Sequence, residues 1–583
     1  MKSGMMKKLI KTARGEVPAE LVFKNCSIVN VFSGEILQGE IAVSQGIVAA
    51  VSYYKDGDIS YIGKEIIDLK GKIIVPGLID AHVHIESSMG TPENFASIVI
   101  PHGTTTVIAD CHEIANVCGN DGIRYMMNAS ENSPLDVFFM IPSCVPATPF
   151  EDSGAKIRIE DMEQFIDDKR VKGLGEMMDY PGVLEGRSDV LDKLTLAVNH
   201  GKFVDGHGPT LVGKDLSAYA ASGIKTDHEC SSLEEMRDRL RAGMYVLIRE
   251  GSAASDLGEL IKGVTESNSR RCCFCTDDRQ AEDIIQIGHI DNNVRLALKA
   301  GLDPVTVIRI ATINTAECYG LNGKGAIAPG YDADFAIADD LKNFNVETVY
   351  IKGSKISEKG QYLKDIDSLE DQHVLYTVNL ESLNNEMFQL KMTSDVAFVI
   401  SMRPHSLLTE KVKHKVLRDP DGYYIQGDGV DLVKVAVIER HKGLGYTGLG
   451  LLENYGLKNG AIASSIAHDS HNIVVAGDND EDMILAVSAL KQCGGGISIC
   501  SKGKILELLE LPIAGLMTNM NSVLLAKKLK RMITIAKEEL QINEGMEPFM
   551  TLAFLALPVI PSIKLTDRGL FDVTTFSFID ISV

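Results

Sequence analysis

The chain has 583 residues, of which 45% are hydrophobic and 24% are charged, with 58 Lys and Arg against 80 Asp and Glu. This length predicts several domains, or fewer if one of them is a barrel. The net charge of −22 provides no basic face for a phosphate backbone, which argues against nucleic acid as a partner and leaves a free base possible.

The chain ends and the cysteines predict a soluble, cytoplasmic protein. Met1–Arg14 reads as a short amphipathic helix without the apolar core of a signal peptide. The longest apolar run, Met550–Pro561, contains two prolines and is far shorter than the ~20 residues that span a bilayer. The odd number of cysteines, eleven, favours free thiols in a reducing compartment.

The first predicted domain is a small β unit assembled from two separate parts of the chain. Residues 20–75 alternate apolar and polar positions between glycine turns, which indicates short antiparallel strands. The same texture returns in Gly325–Ala338 and Val346–Ile356. We therefore expect residues 1–75 and 326–360 to form one composite β domain.

Between these parts lie eight short apolar runs separated by stretches long enough for crossover helices. Eight β/α units within about 250 residues are typical of a TIM-type (β/α)8 barrel, predicted here for residues 76–325. The runs are Leu78–His84, Gly103–Cys111, Asp136–Ser143, Lys172–Met178, Lys202–His207, Ile224–His228, Met244–Arg249 and Arg271–Asp277.

A third domain follows a charged stretch, Ser357–Gln372, that reads as a linker. Strands are predicted at Leu432–Glu439 and Asn472–Ala476, and a helix at Asn521–Gln541, where apolar residues recur at helical spacing. We expect residues 365–583 to form a separate α+β domain.

Potential metal ligands stand where the predicted barrel strands end, the face at which TIM-type barrels place their chemistry. In strand one, His82 and His84 are two residues apart, so both imidazoles point to the same face of the strand. Four imidazoles and two carboxylates suit a pair of divalent cations, with the strand-four carboxylate able to bridge them. The six residues are His82, His84, Glu176, His207, His228 and Asp277.

These motifs resemble the amidohydrolase superfamily and, within it, the bacterial adenine deaminase family. The superfamily resemblance rests on Pro76–His84, His207, His228, Asp277 and the split β domain. The closer resemblance rests on His82–Ser88, Ala109–Asn116, Gly175–Gly182 and Cys275–Arg279, and it extends into the C-terminal domain at Gly460–Asn472. It covers essentially the whole chain. Many superfamily members bridge their metals with a carboxylated lysine on strand four, whereas a glutamate stands at that place here, as in the adenine deaminases.

The resemblance implies hydrolytic deamination of adenine to hypoxanthine and ammonia, an aminohydrolase reaction of purine salvage. A metal-activated hydroxide would attack C6, and Asp277 would take the proton from the metal-bound water and pass it to the leaving amine. Two divalent ions are implied, with Mn²⁺ or Fe²⁺ favoured and Zn²⁺ possible. Adenine would be the small-molecule partner, without nucleic acid or membrane, in a homo-oligomer of two or more subunits.

The purine N1 must gain a proton as C6 becomes tetrahedral, so an acid is needed nearby. Glu113 is the first candidate, with His112 and Asp110 beside it at the end of strand two and Glu86 as the reserve. Capping of the loop is the alternative role for this cluster. Asp278 either hydrogen-bonds the purine or orients its own loop.

Two further groups of possible ligands have alternative interpretations. His468, Asp469 and His471 could form a third metal site, close over the substrate, or be ordinary surface groups. The C-x-x-C within Cys272–Cys275 and the His-x-Glu at His84 are halves of the cytidine-deaminase zinc signature. They lie on different predicted strands, so we interpret the cysteines as apolar filler around strand eight.

Two other functions compete with adenine deamination. One is another cyclic amidohydrolase, similar to dihydropyrimidinase or dihydroorotase, which Glu176 opposes because a carboxylated lysine is expected there. The other is a non-catalytic barrel that only binds, which would be expected to have lost some of the six ligands.

Overall fold

The computed structural model describes residues 3–54, 60–427 and 431–583. The chain begins with helix α1 (Ser3–Ala13), inside the predicted amphipathic segment, whose first two residues lie outside the described part. Five strands follow: β1 (Ala19–Asn30), β2 (Glu35–Ser44), β3 (Ile47–Tyr53), β4 (Gly63–Asp68) and β5 (Ile73–Pro76).

Eight strands then alternate with helices, each strand within a few residues of a predicted run. The strands are β6 (Leu78–Val83), β7 (Thr104–Asp110), β8 (Asp136–Ile141), β9 (Val171–Met177), β10 (Phe203–Gly206), β11 (Thr226–Asp227), β12 (Tyr245–Arg249) and β13 (Cys272–Cys275). The helices are α2 (Pro92–Val99), α3 (His112–Ala129), α4 (Ile159–Met162), α5 (Tyr180–Glu185), α6 (Ser188–Asn199), α7 (Gly213–Ala221), α8 (Leu233–Arg241), α9 (Leu257–Leu260), α10 (Ala281–Ile287), α11 (Ile290–Lys299), α12 (Pro304–Ile310) and α13 (Ile313–Cys318).

These eight strands form two parallel ladders rather than one continuous sheet. One ladder contains β6 to β10 in chain order and the other contains β11 to β13. Backbone hydrogen bonds lie where the ladders would join. At one break Lys225 N–H donates to the Val204 carbonyl at 3.0 Å; at the other, Asp277 N–H donates to the His82 carbonyl at 2.9 Å and His84 N–H to the Asp277 carbonyl at 3.3 Å. Helices pack against these strands, among them α6 on β10, α8 on β12 and α11 on β6.

The N-terminal strands join four later ones, β14 (Phe335–Ala338), β15 (Val346–Ile351), β16 (Ser354–Glu358) and β17 (Gln361–Tyr362), in one nine-stranded sheet. The expectation of a purely antiparallel unit is wrong, since β4 and β5 both run parallel to β1. A register shift in β1 between Phe23 and Cys26 divides it into two halves. Each half binds one short parallel strand.

The predicted linker begins too early. Ser357 pairs with Tyr362 in a tight hairpin, so the irregular stretch starts after β17. Its turn residues, Lys359 and Gly360, have φ of 50° and 75°, the left-handed conformation that two-residue hairpins require. Glu358 and Lys359 therefore belong to this hairpin, whereas the charged residues from Lys364 to Asp371 lie in the irregular stretch that follows it.

The C-terminal region contains an eight-stranded sheet with helix α14 packed on it, in addition to two smaller sheets. The strands are β18 (Val396–Met402), β19 (Thr409–Lys415), β20 (Leu417–Arg418), β21 (Tyr424–Ile425), β22 (Leu432–Ile438), β23 (Thr447–Glu453), β24 (Ala461–Ser464), β25 (Ile473–Gly477), β26 (Gly496–Ser501), β27 (Lys504–Glu510), β28 (Ile563–Thr566), β29 (Gly569–Asp572) and β30 (Ser577–Phe578). The helices are α14 (Asp480–Cys493), α15 (Ser522–Glu538) and α16 (Pro548–Ala553).

This region docks beside the residues that follow β6. Thr518 N–H donates to the Met89 carbonyl at 2.9 Å, and the Ser522 hydroxyl to the Asn94 carbonyl at 3.1 Å. The loop between β24 and β25 reaches the residues that follow β7, since His468 Nδ1 lies 2.7 Å from Oε1 of Glu113. Among the described helices, none is long and apolar enough to cross a membrane.

Candidate metal centre and active site

The six predicted ligands converge on one buried cluster at the carboxyl ends of the parallel strands. His207 is the most exposed of them, with 19% of its side chain accessible. The parallel direction of the strands explains the convergence, because their carboxyl ends meet on one side. The cluster contains His82, His84, Glu176, His207, His228 and Asp277.

Glu176, at the end of β9, lies in the middle of this cluster. Its Oε2 is 2.6 Å from Nδ1 of His207 and 3.2 Å from Nε2 of His228. Its Oε1 is 3.3 Å from Nε2 of His84 and 3.9 Å from Nε2 of His82. The two oxygens of one carboxylate thus face two different pairs of imidazoles, which is the arrangement of a bridging ligand.

Asp277, just after β13, lies against the two histidines that β6 contributes to the cluster. Its Oδ1 lies 3.1 Å from Nε2 of His84 and 3.6 Å from Nε2 of His82. Burial alone would raise the pKa of Asp277, but these imidazoles and Arg249 hold it well below its usual range. The residue has a φ of 58°, and its backbone N–H is bonded to His82, so its carboxyl group is turned back over β6.

The donor set fits divalent cations. Within the described residues, both ring nitrogens of His82 and the Nδ1 of His228 are buried without a hydrogen-bond partner, an arrangement that is costly unless another ligand satisfies them. His82, His84 and Glu176 form one group whose ligand atoms lie within 4.8 Å of one another, and Glu176, His207 and His228 form a second. Imidazole and carboxylate ligands suit zinc, manganese and iron(II).

Asp110, one of the candidates for the acid that protonates the purine, supports the backbone around it. Its Oδ1 accepts the N–H of His112 at 3.1 Å, and its Oδ2 accepts the N–H of Glu176 at 3.0 Å. A Cβ on Gly175 would lie 2.1 Å from Oδ2, so only glycine allows this approach. These contacts favour a positioning role for Asp110.

Glu113, the first candidate for the purine acid, is held by two imidazoles from the C-terminal region. His468 Nδ1 lies 2.7 Å from its Oε1, and His471 Nε2 contacts its Oε2. Burial alone would raise the pKa of Glu113, but His468, His471 and His112 hold it well below its usual range. A carboxylate that stays ionised and fully bonded is a poor proton donor.

His112 lies between the two clusters. Its Nδ1 is 3.5 Å from Oε1 of Glu176, and its Nε2 is 3.6 Å from Oε1 of Glu113. Burial alone would lower the pKa of His112, but the Glu113 carboxylate and other nearby groups raise it well above its usual value. The imidazole therefore lies between the candidate metal ligands and the interface with the C-terminal region.

A narrow cavity opens beside this cluster of candidate metal ligands. Glu86, Asp278 and Gln280 line its polar side, together with Glu113, His468 and His471. The C-terminal region contributes apolar side chains, including Ile466, Phe549 and Met550. The cavity thus combines apolar side chains with a few polar groups, as small-molecule sites commonly do.

Two acidic residues that line this cavity, Glu86 and Asp278, have different hydrogen-bond partners. Glu86 Oε1 accepts the Ile114 N–H at 3.2 Å, while its Oε2 is buried and has no hydrogen-bond partner in the described chain. Burial raises the pKa of Glu86 to about 7. Asp278 accepts a hydrogen bond from the Ser87 hydroxyl, and burial raises its pKa.

Sequence reasoning missed Arg249 and Glu229. Arg249 ends β12, its Nη1 lies 3.0 Å from Oδ2 of Asp277, and it also contacts Glu229 and Asp256. Glu229 lies 3.4 Å from Nε2 of His228. Both residues stand at strand ends, so the rule that found the six ligands would also have found them if it had been applied to every charged residue there.

The structure also shows what the other predicted groups do. Cys272, Cys273 and Cys275 are fully buried in β13, and all eleven cysteines are free. Asp469 is buried beside His468, and one of its carboxylate oxygens has no partner in the described residues.

Comparison with known proteins gives matches to two family models and to full-length relatives. Residues 73–356 match the amidohydrolase family, and residues 406–577 match the adenine deaminase C-terminal domain. An adenine deaminase of Nitratidesulfovibrio vulgaris is 51% identical over 99% of both chains. One from Clostridium acetobutylicum is 52% identical over 98% of this chain and 99% of the relative.

Similarity to solved structures is weaker. A β-aspartyl dipeptidase from Fervidobacterium islandicum AW-1 matches with 20% identity and a TM-score of 0.45, covering 59% of this chain and 98% of that one. An adenosine deaminase from Xanthomonas campestris matches with 14% identity and a TM-score of 0.41, covering 60% and 95%.

Proposed function

This chain belongs to the adenine deaminase family, and we propose that it hydrolyses adenine to hypoxanthine and ammonia. The observation that carries this proposal is similarity over the full length, through both regions that line the cavity. The activity is tested by following both products as the metal-reconstituted protein acts on adenine.

The proposed architecture is a closed barrel over residues 76–325. The backbone bonds from Lys225 to Val204 and from Asp277 to His82 support closure at both breaks between the ladders. The composite β domain is assigned to residues 1–75 and 326–360, and the C-terminal α+β domain to residues 365–583. The nine-stranded sheet that unites β1 with β14 supports the composite assignment.

Two divalent cations are proposed as cofactors, Mn²⁺ or Fe²⁺ in preference to Zn²⁺. His82, His84 and Asp277 would hold one, His207 and His228 the other, and Glu176 would contact both. When bound, such ions supply acidified water as a nucleophile at neutral pH. The unpartnered ring nitrogens of His82 support this assignment, because an imidazole buried without a partner is costly.

Asp277 is proposed to move the proton of the attacking water. Its Oδ1 faces the imidazole of His84, and its Oδ2 is held by Arg249 at 3.0 Å. The carboxylate would accept the proton as water attacks C6 and return it to the departing amine, first as a base and then as an acid. Its depressed pKa keeps it ionised for the first of these steps.

The proton for purine N1 is proposed to come from Glu86 rather than from Glu113. Glu86 has an unpartnered oxygen beside the cavity, and burial raises its pKa into the range in which a carboxyl group can donate near neutrality. Both oxygens of Glu113 are occupied by histidines. His112 is assigned to the support of Glu113 and Glu176, and Asp278 to the rim of the purine site.

Another cyclic amidohydrolase activity is not favoured. A carboxylated lysine would have to come from Lys172, the lysine of β9. Its Nζ lies 4.5 Å from the centre of the Phe138 ring, at the opposite end of the strand from Glu176. The bridging position is therefore left to the glutamate.

The cellular setting is proposed from the composition. Eleven free thiols are typical of a reducing cytoplasm. Assembly into a dimer or larger homo-oligomer stays a prediction from the size and acidity of the chain.

A further inference from the structure

His468 is one of the two histidines that the C-terminal region contributes to the lining of the cavity. Its Nδ1 is 2.7 Å from Oε1 of Glu113, and its ring stacks on Phe554 with centroids 4.4 Å apart. Only 10% of its side chain is exposed. Its other nitrogen, Nε2, makes no hydrogen bond to any described residue, although the residue lines the cavity.

The hydrogen bonds of His471 fix the proton positions around Glu113. The N–H of Ala467 donates to Nδ1 of His471 at 3.3 Å, so this nitrogen carries a lone pair. A neutral His471 must then carry its proton on Nε2, where it donates to Glu113. Burial lowers the pKa of His471 to about 4, which is consistent with a neutral ring.

His468 differs from His471 in charge. Burial alone would lower its pKa, but the Glu113 carboxylate outweighs burial and raises the pKa to about 9. The imidazolium donates from Nδ1 to Glu113 and keeps a second N–H, on Nε2, for another acceptor. A ligand with an acceptor nitrogen in the cavity would give this N–H the partner that the described residues do not supply.

A third metal ion on Glu113, His468 and His471 is the competing interpretation, since their ligand atoms lie within 4.8 Å of one another. A metal on Nε2 of His471 would force the ring proton onto Nδ1. That proton would then point at the N–H of Ala467, a donor that cannot accept it. The hydrogen-bond pattern therefore favours a proton-linked cluster over a metal site.

We propose that His468 is the substrate contact supplied by the C-terminal domain, donating from Nε2 to an acceptor nitrogen of the purine ring other than N1, with Glu113 holding the imidazole in place. The inference rests on the proposed deaminase function and deepens it. Purine N3 and N7 are the available acceptors, because N1 is assigned to Glu86. The purine site is then incomplete without the C-terminal domain.

The probes are adenine, 3-deazaadenine and 7-deazaadenine, each of the last two lacking one acceptor nitrogen. They are measured with the metal-loaded full chain as substrates or competitive inhibitors. For the wild type, we expect one of the two analogues to bind about tenfold to a hundredfold more weakly than adenine, the range for a lost charge-assisted hydrogen bond. If both analogues bind as tightly as adenine, the proposal is overturned without any variant.

The variant His468→Asn supplies the second half of the test. Binding of adenine to this variant should weaken by a similar factor, mainly as a rise in KM. Binding of the sensitive analogue should not weaken further. Glu113→Gln should reduce the same discrimination, because it loosens the anchor. The control is His414→Asn, which changes a half-exposed histidine on β19 paired with Glu453. This variant should keep the wild-type difference in binding between adenine and the sensitive analogue.

Equal weakening of adenine and both analogues in His468→Asn would contradict direct contact with a ring nitrogen. Two metal equivalents are expected in the wild type and in the variant, and a third equivalent lost with His468 would also overturn the proposal. Failure of the wild type to turn over adenine would refute the proposed function instead, so the two failures are distinguishable.

Discussion

Nη1 of Arg249 lies 3.0 Å from Oδ2 of Asp277, whose other oxygen faces His84. The carboxylate is therefore divided between a permanent cation on one side and the metal cluster on the other. Arg249 is itself buried and paired with Glu229 and Asp256 as well, so it has little freedom to move away. This pairing fixes both the orientation and the charge of the residue assigned to carry the proton.

Replacement of this cation should shift the pH dependence of the reaction. In Arg249→Met, the Asp277 carboxylate loses a stabilising positive charge, and its pKa rises. The acidic limb of the kcat profile should therefore move to higher pH. Arg241→Met, at an exposed site on α8, is the control, and an unmoved limb in Arg249→Met would contradict the assignment.

Removal of the proton carrier should separate metal binding from turnover. Asp277→Asn keeps an oxygen ligand but cannot accept a proton, so we expect the metal content to persist while kcat falls about 10² to 10⁴ fold. Metal analysis and steady-state kinetics measure the two effects on one preparation. Asp215→Asn, on the exposed face of α7, is the matched control. Unchanged turnover in Asp277→Asn would remove the proposed role.

Loss of the bridge should affect the metals first. Glu176→Gln removes the negative charge that both ligand groups share, and we expect at least one metal equivalent to be lost together with activity. Glu185→Gln, an exposed substitution on α5, should retain both equivalents. Full metal occupancy in the Glu176 variant would show that this carboxylate does not bridge.

Much of the fold could be predicted because its signals are local. Each parallel strand is a short apolar run, and β13 is buried at all four residues, so its sequence carries no alternation that could mislead. The ligands could be predicted because the carboxyl ends of parallel strands meet on one side. His82 and Glu176, 94 residues apart, needed only that rule to be placed together.

The roles around Glu113 could not be predicted, because they depend on docking between distant parts of the chain. His468 follows Glu113 by 355 residues, and no periodicity relates them. The sequence identifies both residues as candidates but leaves one as an acid and the other as a possible metal ligand. Only their contact shows that the carboxylate anchors the imidazole. The unpartnered Oε2 of Glu86 is likewise visible only in the folded structure.

The pairing of Glu113 with His468 should also make stability depend on pH. The folded-state pKa of His468, about 9, lies above the value near 6.5 expected when unfolded. Its contribution is therefore complete below about pH 6.5 and is lost as the pH rises through 9. Neighbouring Asp469, whose pKa burial raises to about 6, titrates below this window.

The difference in free energy of unfolding between the wild type and His468→Asn should accordingly be about 1–3 kcal/mol at pH 6 and shrink by pH 10. Denaturant titrations of both proteins across this range measure it. A difference that stays constant with pH would mean that His468 is not charged in the folded protein.

The central claim is that the cluster around Glu176 deaminates adenine, and a direct assay tests it most sharply. The protein is stripped of metal, reconstituted with Mn²⁺ or Fe²⁺, and given adenine, adenosine, cytosine and dihydroorotate in parallel. We predict equal amounts of hypoxanthine and ammonia from adenine, dependent on about two metal equivalents per chain, with kcat/KM highest for adenine. Preferred turnover of any of the other three substrates, or full activity without metal, would contradict the account.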